Sequence, residues 1–392
     1  MKNKNAEIIL AFAGDFCPSE EGVCKRMRQV TRPADILGPA AIPLGASDLS
    51  IVNLEYPLTY RKEASVKYGS HQRGDPESVR ILKDSGVDVV TLANNHMLDY
   101  CEGGLQDTID ACRSSGIACV GAGSDLVEAS SILNCEVRGV PVSVIAFCEN
   151  EFSVTTGNSP GTFGLDVVRC SQKIKEAKGN SDIVIVQVHA GSEFTHYPSP
   201  NTVRLFRFLV DCGATVVVGH HPHYIQGYEL YKGSAILYSL GKLIYTRMDD
   251  SGLLEVPVAT VSYDVMTSEL SVEYDFFRAD KQNHQLVSLS NDEKAELDVR
   301  FSEYCTAIAS EEVISKHWDK YCLEERNEMY LATLLGVTMF KYRVLRRLGM
   351  LSYLKKLAIK KRANLMKLEN YIRCESHREA LLTILENLRR QD

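Results

Sequence analysis

Two apolar runs that each end in histidine constrain this chain more than any other feature. The first is DIVIVQVHAGSEF, from Asp182 to Phe194, and the second is ATVVVGHHPHYIQ, from Ala214 to Gln226. Between them, NTVRLFRFLVDCG (201–213) has helix length and helical apolar spacing. Buried strands joined by a helix-length crossover are expected to be parallel neighbours. Their carboxyl ends then share one sheet edge, where open α/β sheets build their sites. His189, His220, His221 and His223 should therefore converge, and convergent imidazoles point to a metal ion. The competing reading makes some of them polar caps of the core or groups that support ligands from behind. That reading applies most to His220.

The same device recurs along the chain. Five blocks place polar residues directly after an apolar run: Gly14-Asp15, Asn53-Leu54-Glu55, Asn94-Asn95-His96 with Asp99, His189 with Glu193, and Gly219 to His223. Taken singly, each has a structural explanation. Asp15 suits a turn, Asn53-Leu54-Glu55 suits turn chemistry, and Asn94 or Asn95 suits a helix cap. Taken together, they deliver oxygen donors (Asp15, Glu55, Asn95) and nitrogen donors (His189, His221, His223) to one edge. Such a mixed set suits divalent cations. Six donors exceed what one zinc needs, so two ions are expected, drawn from Mn, Zn, Fe, Co or Mg.

The first 260 residues alternate short β-branched runs with helical patterns. Strands are expected at 7–13, 49–53, 87–92, 116–120, 142–148, 182–188, 214–218 and 235–239, and helices at 76–85, 102–115, 167–178 and 200–212. Several strands are continuous apolar runs, as expected when both faces are covered. Segments 227–240 and 256–276 read as antiparallel additions, and the sheet is expected to be doubled. The opening MKNKNAEIILAFAGDF resembles a short export signal. Its apolar run is brief, contains Glu7 and leads into Asp15, so it reads as the first core strand. From about residue 280 the pattern turns helical, with breaks near Gly336 and Gly349. The expected domains are 1–279 and a helical extension, 280–392.

The chain has 12 cysteines and no CxxC pair. They read as small buried hydrophobes of a reducing, cytoplasmic compartment. Cys17 stands apart, two residues after Asp15. No apolar run is long enough to suggest a membrane-spanning helix. Charge is segregated. Residues 1–340 carry 30 Lys and Arg against 46 Asp and Glu, whereas 341–392 carry 14 against 5. From Lys341 to Lys367 there are ten basic and no acidic residues, interleaved with apolar ones at about helical spacing. Three accounts are open: a helix packed on the acidic core, peripheral attachment to the inner face of an anionic membrane, or contact with an acidic polymer. Two tyrosines, Tyr342 and Tyr353, are sparse aromatic interleaving for a nucleic-acid platform, and no nucleic acid is expected as partner.

The blocks GD, NLE.PLT, LANNH..DY, GAG, VH.G.E and GHHPH..QG.E.Y.G..I.YSLG, in that order over roughly residues 7–250, resemble the capsule-synthesis CapA (PGA_cap) family, also called the poly-gamma-glutamate biosynthesis family. That family is related to the calcineurin-like metallophosphoesterases. The resemblance implies a four-layer α/β/β/α sandwich. By the resemblance, Asp15 is the first ligating aspartate, Glu55 replaces a bridging aspartate, Asn95 is a ligand, and His96 assists the leaving group beside Asp99. His189, His221 and His223 are imidazole ligands, and His220 is an extra histidine of the block. Three positions depart from the pattern: Cys17 replaces a ligand histidine, Lys242 and Leu243 follow the glycine where Asn and an aromatic are usual, and Ala190 replaces a frequent tryptophan. Lys67, Arg73 and Lys242 are candidate contacts for substrate anions. The expected activity is metal-dependent hydrolysis of a phosphoester, connected with capsule, exopolysaccharide or poly-gamma-glutamate synthesis. The alternatives are amide processing and a non-catalytic role in polymer assembly. The expected partner is an anionic small molecule or polymer.

Overall fold

The computed structural model describes residues 7–18, 23–67, 69–155, 157–244, 255–280, 282–326, 328–329, 332 and 338–350. The strands of the first half are β1 (Glu7–Phe16), β2 (Leu49–Leu54), β3 (Val89–Thr91), β4 (Ala118–Val120), β5 (Ala122–Gly123), β6 (Leu133–Val137), β7 (Val140–Cys148) and β8 (Gly161–Thr162). They are followed by β9 (Ile183–His189), β10 (Val216–His220), β11 (Tyr228–Tyr231), β12 (Ser234–Leu237), β13 (Lys242–Ile244), β14 (Glu255–Asp264), β15 (Leu270–Asp280) and β16 (Gln285–Ser288). The helices are α1 (Val23–Met27), α2 (Ala41–Ala46), α3 (Val79–Asp84), α4 (Cys101–Ser114), α5 (Leu126–Ala129), α6 (Val167–Asn180), α7 (Pro200–Asp211), α8 (Asn291–Ile308) and α9 (Glu311–Lys320).

Two main sheets form. One runs β16-β15-β14-β1-β2-β3-β4, with β13 also on β1; the other runs β11-β12-β10-β9-β7-β6. The expected doubling of the sheet is thus observed. The strands β1, β2, β3 and β4 are mutually parallel, as are β7, β9, β10 and β12. The hairpins β11–β12 and β14–β15 are antiparallel, as the Tyr, Val and Thr content of those segments implies. The opening apolar run is a core strand, with Ile8, Leu10 and Phe12 at 0% exposure.

Period-two alternation sorts the side chains into three apolar layers. Ile8, Leu10 and Phe12 of β1 meet Val142 and Val144 of β7 and Ile185 of β9 between the sheets. Ala11 and Ala13 face the other way, toward Ile81 and Leu82 of α3 and Leu105 of α4. Val184, Val186 and Val188 pack against Ile174 of α6 and Phe206 and Leu209 of α7. Each fully buried Val, Ile or Leu contributes about 1.5–3 kcal/mol. A one-residue slip would turn a whole set to the wrong face, so these strands hold a single register.

The chain divides into two compact units, Met1–Trp318 and Asp319–Asp392. Strand gives way to helix after Ser288, close to the compositional change at 280, yet α8 belongs to the first unit. Its Leu297, Phe301 and Tyr304 cluster with Ile225 and Phe276, and Ser290 with Glu293 forms a capping box at its start. In the second unit, helix Met339–Arg347 is capped by Thr338 and ends just before the expected break at Gly349. Most of the basic stretch 341–367 lies outside the described residues. Among the described residues, no helix is long and apolar enough to cross a membrane.

Candidate metal centre

The carboxyl ends of β1, β2, β9 and β10 meet where the two sheets face each other. On β9 and β10, His189 and His220 are paired in parallel register, as the two histidine-ended runs require. On β1, the register with β2 shifts between Ala13 and Asp15, so Gly14 is an extra residue in the ladder. Such a bulge re-aims the side chain that follows it. Only glycine fits there, because a Cβ on Gly14 would lie 2.3 Å from the Gly241 carbonyl oxygen. The result is Asp15 beside Asn53 of β2 on one side and Lys242 of β13 on the other. His221 and His223 have φ of +92° and +60°, a region that costs non-glycine residues about 1–3 kcal/mol. In this conformation the His221 ring lies 4.7 Å from that of His189, and His223 Nδ1 lies 3.0 Å from Asp15 Oδ2.

Asp15, Glu55 and His223 are buried, and each offers one ligand atom within 4.8 Å of the others. Asp15 Oδ2 lies 3.0 Å from His223 Nδ1, and Glu55 Oε1 lies 3.6 Å from His223 Nε2. Two carboxylates at 0–1% exposure require compensating positive charge. Two oxygens and an imidazole nitrogen suit a divalent cation, so these residues fit one. A second group of donors stands beside the first. His189 Nε2 lies 3.0 Å from His221 Nδ1 and 3.2 Å from Asn95 Oδ1. The Asn53 amide spans the two groups, 2.8 Å from Asp15 Oδ1 and 3.3 Å from His189 Nδ1.

Charges follow these contacts. Burial opposes ionisation of Asp15, but hydrogen bonds from His220 and His223 outweigh it and hold the carboxyl well below its usual range. Burial likewise opposes protonation of His223, yet the carboxylates of Glu55, Asp15 and Glu193 win and push it up to about 9. His189 goes the other way, held well below the usual imidazole range by burial and by His221. Glu193 lies 3.6 Å from His223 Nε2. Despite its partial burial, its pKa is brought down to about 2, chiefly by His223. Lys242 is raised although burial alone would lower it, because Cys17, Glu55, Asp15 and Glu193 surround it with negative or ionisable groups. Burial and the Glu55 charge keep the Cys17 thiol well above its usual range, and its Sγ donates to Glu55 Oε2 across 2.9 Å.

At the rim, His96 Nδ1 donates to Asp99 Oδ2 across 2.7 Å, leaving Nε2 facing Glu55 Oε1 at 3.8 Å. The His96 backbone is pinned by Asn94 Oδ1, whose own amide nitrogen donates to the Leu54 carbonyl. Asp99 is fully buried, and it draws in Lys67 as an ion-pair partner. Lys67 is thereby buried within the protein and does not stand open to an anion; a buried carboxylate demands a cation more strongly than a loop lysine demands water. Arg73 also turns elsewhere. It donates to the Arg61 carbonyl oxygen and lies 5.0 Å above the Tyr100 ring. His220 sits behind the donors, with Nε2 donating to Gln187 Oε1 at 2.8 Å and Nδ1 3.4 Å from Asp15 Oδ1.

Three site residues lay beyond the sequence reading. Asn53 reads as turn chemistry in the sequence, yet its side chain is fully buried between Asp15 and His189. Gln187 lies within a strand that reads as wholly apolar. Glu149 follows the run VSVIAFC just as the other donors follow theirs, and the same rule would have found it. With Asn95, His189 and His221 it lines a small cleft, its Oε1 accepts from Gly191 N at 3.1 Å, and burial raises its pKa above the usual carboxylate range.

These donors all fall within residues 9–247, the span matched by the family described as bacterial capsule synthesis protein PGA_cap. The chain is 34% identical over 222 residues to the capsule biosynthesis protein CapA of Bacillus anthracis, covering 53% of this chain and 54% of that protein. It is 35% identical over 218 residues to the PGA biosynthesis protein CapA of Bacillus subtilis (strain 168), covering 54% and 57%. A probable polyglutamine synthesis accessory protein of Mycobacterium tuberculosis is 32% identical over 212 residues, covering 51% and 56%. The match thus spans little more than half the length of these curated relatives.

Proposed function

The chain belongs to the bacterial capsule synthesis protein family PGA_cap, and from that premise we propose that it is a divalent-metal-dependent phosphoester hydrolase serving capsule, exopolysaccharide or poly-gamma-glutamate synthesis. The observation that carries this reading is the buried triad Asp15, Glu55 and His223 with a histidine–carboxylate pair at its rim. The two facing sheets covered by helices support a four-layer metallophosphoesterase-like sandwich of residues 1–279, with a helical extension beyond.

Asp15, Glu55 and His223 would hold one divalent ion, and Asn95, His189 and His221 a second. Bound ions of this kind supply Lewis acidity and lower the pKa of water. The protein's own residues supply the rest. Asp99 accepts from His96 Nδ1 and so orients the ring, leaving Nε2 to give its proton to the leaving oxygen. Lys67 holds Asp99 in place. Asn95 would ligate without adding charge, which would keep the site receptive to an anion. Lys242, in register with Asp15, contributes an ammonium for non-bridging phosphoryl oxygens. The partner is then an anionic small molecule or polymer, met in the cytoplasm, and the basic segment 341–392 gives the chain a means of peripheral attachment to the inner membrane face.

The mycobacterial relative, a probable polyglutamine synthesis accessory protein, favours a second reading, an accessory role in polymer synthesis without turnover. One experiment separates the two. Protein loaded in turn with Mn, Zn, Fe, Co and Mg is assayed against phosphomonoesters and phosphodiesters, beside His96→Ala. The hydrolase reading expects turnover and a loss of about 10²-fold or more in the variant. Fully loaded protein without turnover on any phosphoester would sink it.

A further inference from the structure

A cavity of about 580 Å³ lies against α7 and the residues that follow β9, and it touches the metal centre without belonging to it. Its volume falls within the usual range of small-molecule sites, about 300–1,000 Å³. Glu149 is the link, lining both this cavity and the cleft of Asn95, His189 and His221. Ala190 and Gly191, which follow His189 in the chain, also line the cavity, and Gly191 N donates to Glu149 Oε1 at 3.1 Å.

The lining decides what the cavity takes. Asn201, Thr202, Ser192 and Ser199 offer amide and hydroxyl groups, and Phe208 and Trp318 offer aromatic surface. Among the described lining residues the charged groups are Glu149 and Arg204, one of each sign. A body with a carboxylate on every unit would gain no net attraction here and would meet Glu149. A neutral polyhydroxylated ring suits the same lining. Planar carboxylate, guanidinium and carboxamide groups pair with adjacent hydroxyls, and aromatic rings cover the C–H face of a sugar. The Arg204 guanidinium is already oriented by Asn201 Oδ1.

We propose that this cavity is a carbohydrate subsite, holding one or two neutral sugar rings of a ligand whose anionic end reaches Asp15, Glu55 and His223. The direction of the anionic end rests on the hydrolase reading; binding of the sugar body does not. Trp318 is the only tryptophan in the chain, so its fluorescence reports occupancy directly. Metal-free full-length protein is titrated with neutral methyl glycosides of hexoses and N-acetylhexosamines, with their disaccharides, with γ-diglutamate and with adenosine. A saturable change with a neutral sugar is expected. It should weaken by about tenfold or more in Arg204→Ala and in Phe208→Ala, as loss of one polar or aromatic contact implies. Far-ultraviolet circular dichroism of both variants should match the parent, since both side chains are solvent-accessible. A response to γ-diglutamate or adenosine but to no neutral sugar overturns the proposal, as does no response at all. An equal response in both variants removes the sugar from this cavity. Because no metal or turnover enters the measurement, failure of the phosphoester panel leaves this outcome intact, and the reverse also holds.

Discussion

Cys17 donates its thiol hydrogen to Glu55 Oε2, and this bond leaves Oε1 as the oxygen that faces both His223 and His96. The thiol therefore orients a metal-competent carboxylate while contributing no charge of its own.

Replacing that thiol should change metal affinity in opposite directions according to the substitution. Cys17→Ala removes the orienting bond, and loss of such support typically weakens metal binding by about 10–100-fold. Cys17→His offers a further nitrogen donor beside Asp15 and Glu55 and should strengthen binding. Competition titration against a chromophoric chelator measures both. Equal affinity in all three proteins would show that Cys17 has no part in holding the ion.

The pair Lys67–Asp99 is closed off from solvent, with side-chain exposures of 4% and 0%. Removing one partner of a buried ion pair leaves an uncompensated charge and commonly costs about 3–5 kcal/mol. Lys67→Met should lose stability on that scale in urea unfolding, although His96 and the Gln72 backbone still donate to Asp99. A change within about 0.5 kcal/mol, the range of ordinary surface substitutions, would argue that Lys67 does not neutralise Asp99.

Asp75 supports a prediction away from the site. Its carboxylate accepts from Tyr60 Oη at 2.6 Å, from Arg28 at 2.7 Å and from Glu77 N at 2.9 Å. Burial alone would raise its pKa; the bonds from Tyr60, Glu77 and Arg28 lower it below the usual value of 3.8. A folded-state pKa below the unfolded one gives stability that is present above the unfolded value and lost as pH falls through the folded one. Asp75→Asn should thus be less stable than the parent by about 1–3 kcal/mol at pH ~7, with the gap narrowing below pH ~4. Urea unfolding at both pH values checks this, and a gap that widens in acid would refute it. On the alkaline side, the same contact pushes Tyr60 up to about 12, so phenolate absorbance from Tyr60 should appear only near that pH.

The basic segment 341–392 carries the membrane prediction. If it rests on an anionic surface, sedimentation with acidic vesicles should fall as salt rises and vanish when the segment is removed. Equal binding to neutral vesicles, or none to acidic ones, would leave the packed-helix account.

Much of the site was legible because its donors follow one local rule. A run that must be buried on both faces has to end, and the polar residue that ends it is delivered to a sheet edge. Asp15, Glu55, Asn95, His189, His221 and His223 all obey it, and strand–helix–strand spacing sets which edge they share. The alternation of Ile8, Leu10 and Phe12 with Ala11 and Ala13 was also local, since a strand repeats every two residues. Side-chain partners are not local. Whether Lys67 meets an anion or Asp99, whether Cys17 ligates or hydrogen-bonds to Glu55, and whether Glu149 joins the centre or the cavity depend on angstrom-scale approach between segments far apart in the chain. Those approaches depend on the bulge at Gly14, on the strained backbone of His221 and His223, and on how helices pack over each sheet. Pattern specifies which face a residue takes, because each face follows from its nearest neighbours. Only the packed tertiary structure decides what that residue touches, because contact energies are settled by all the segments at once.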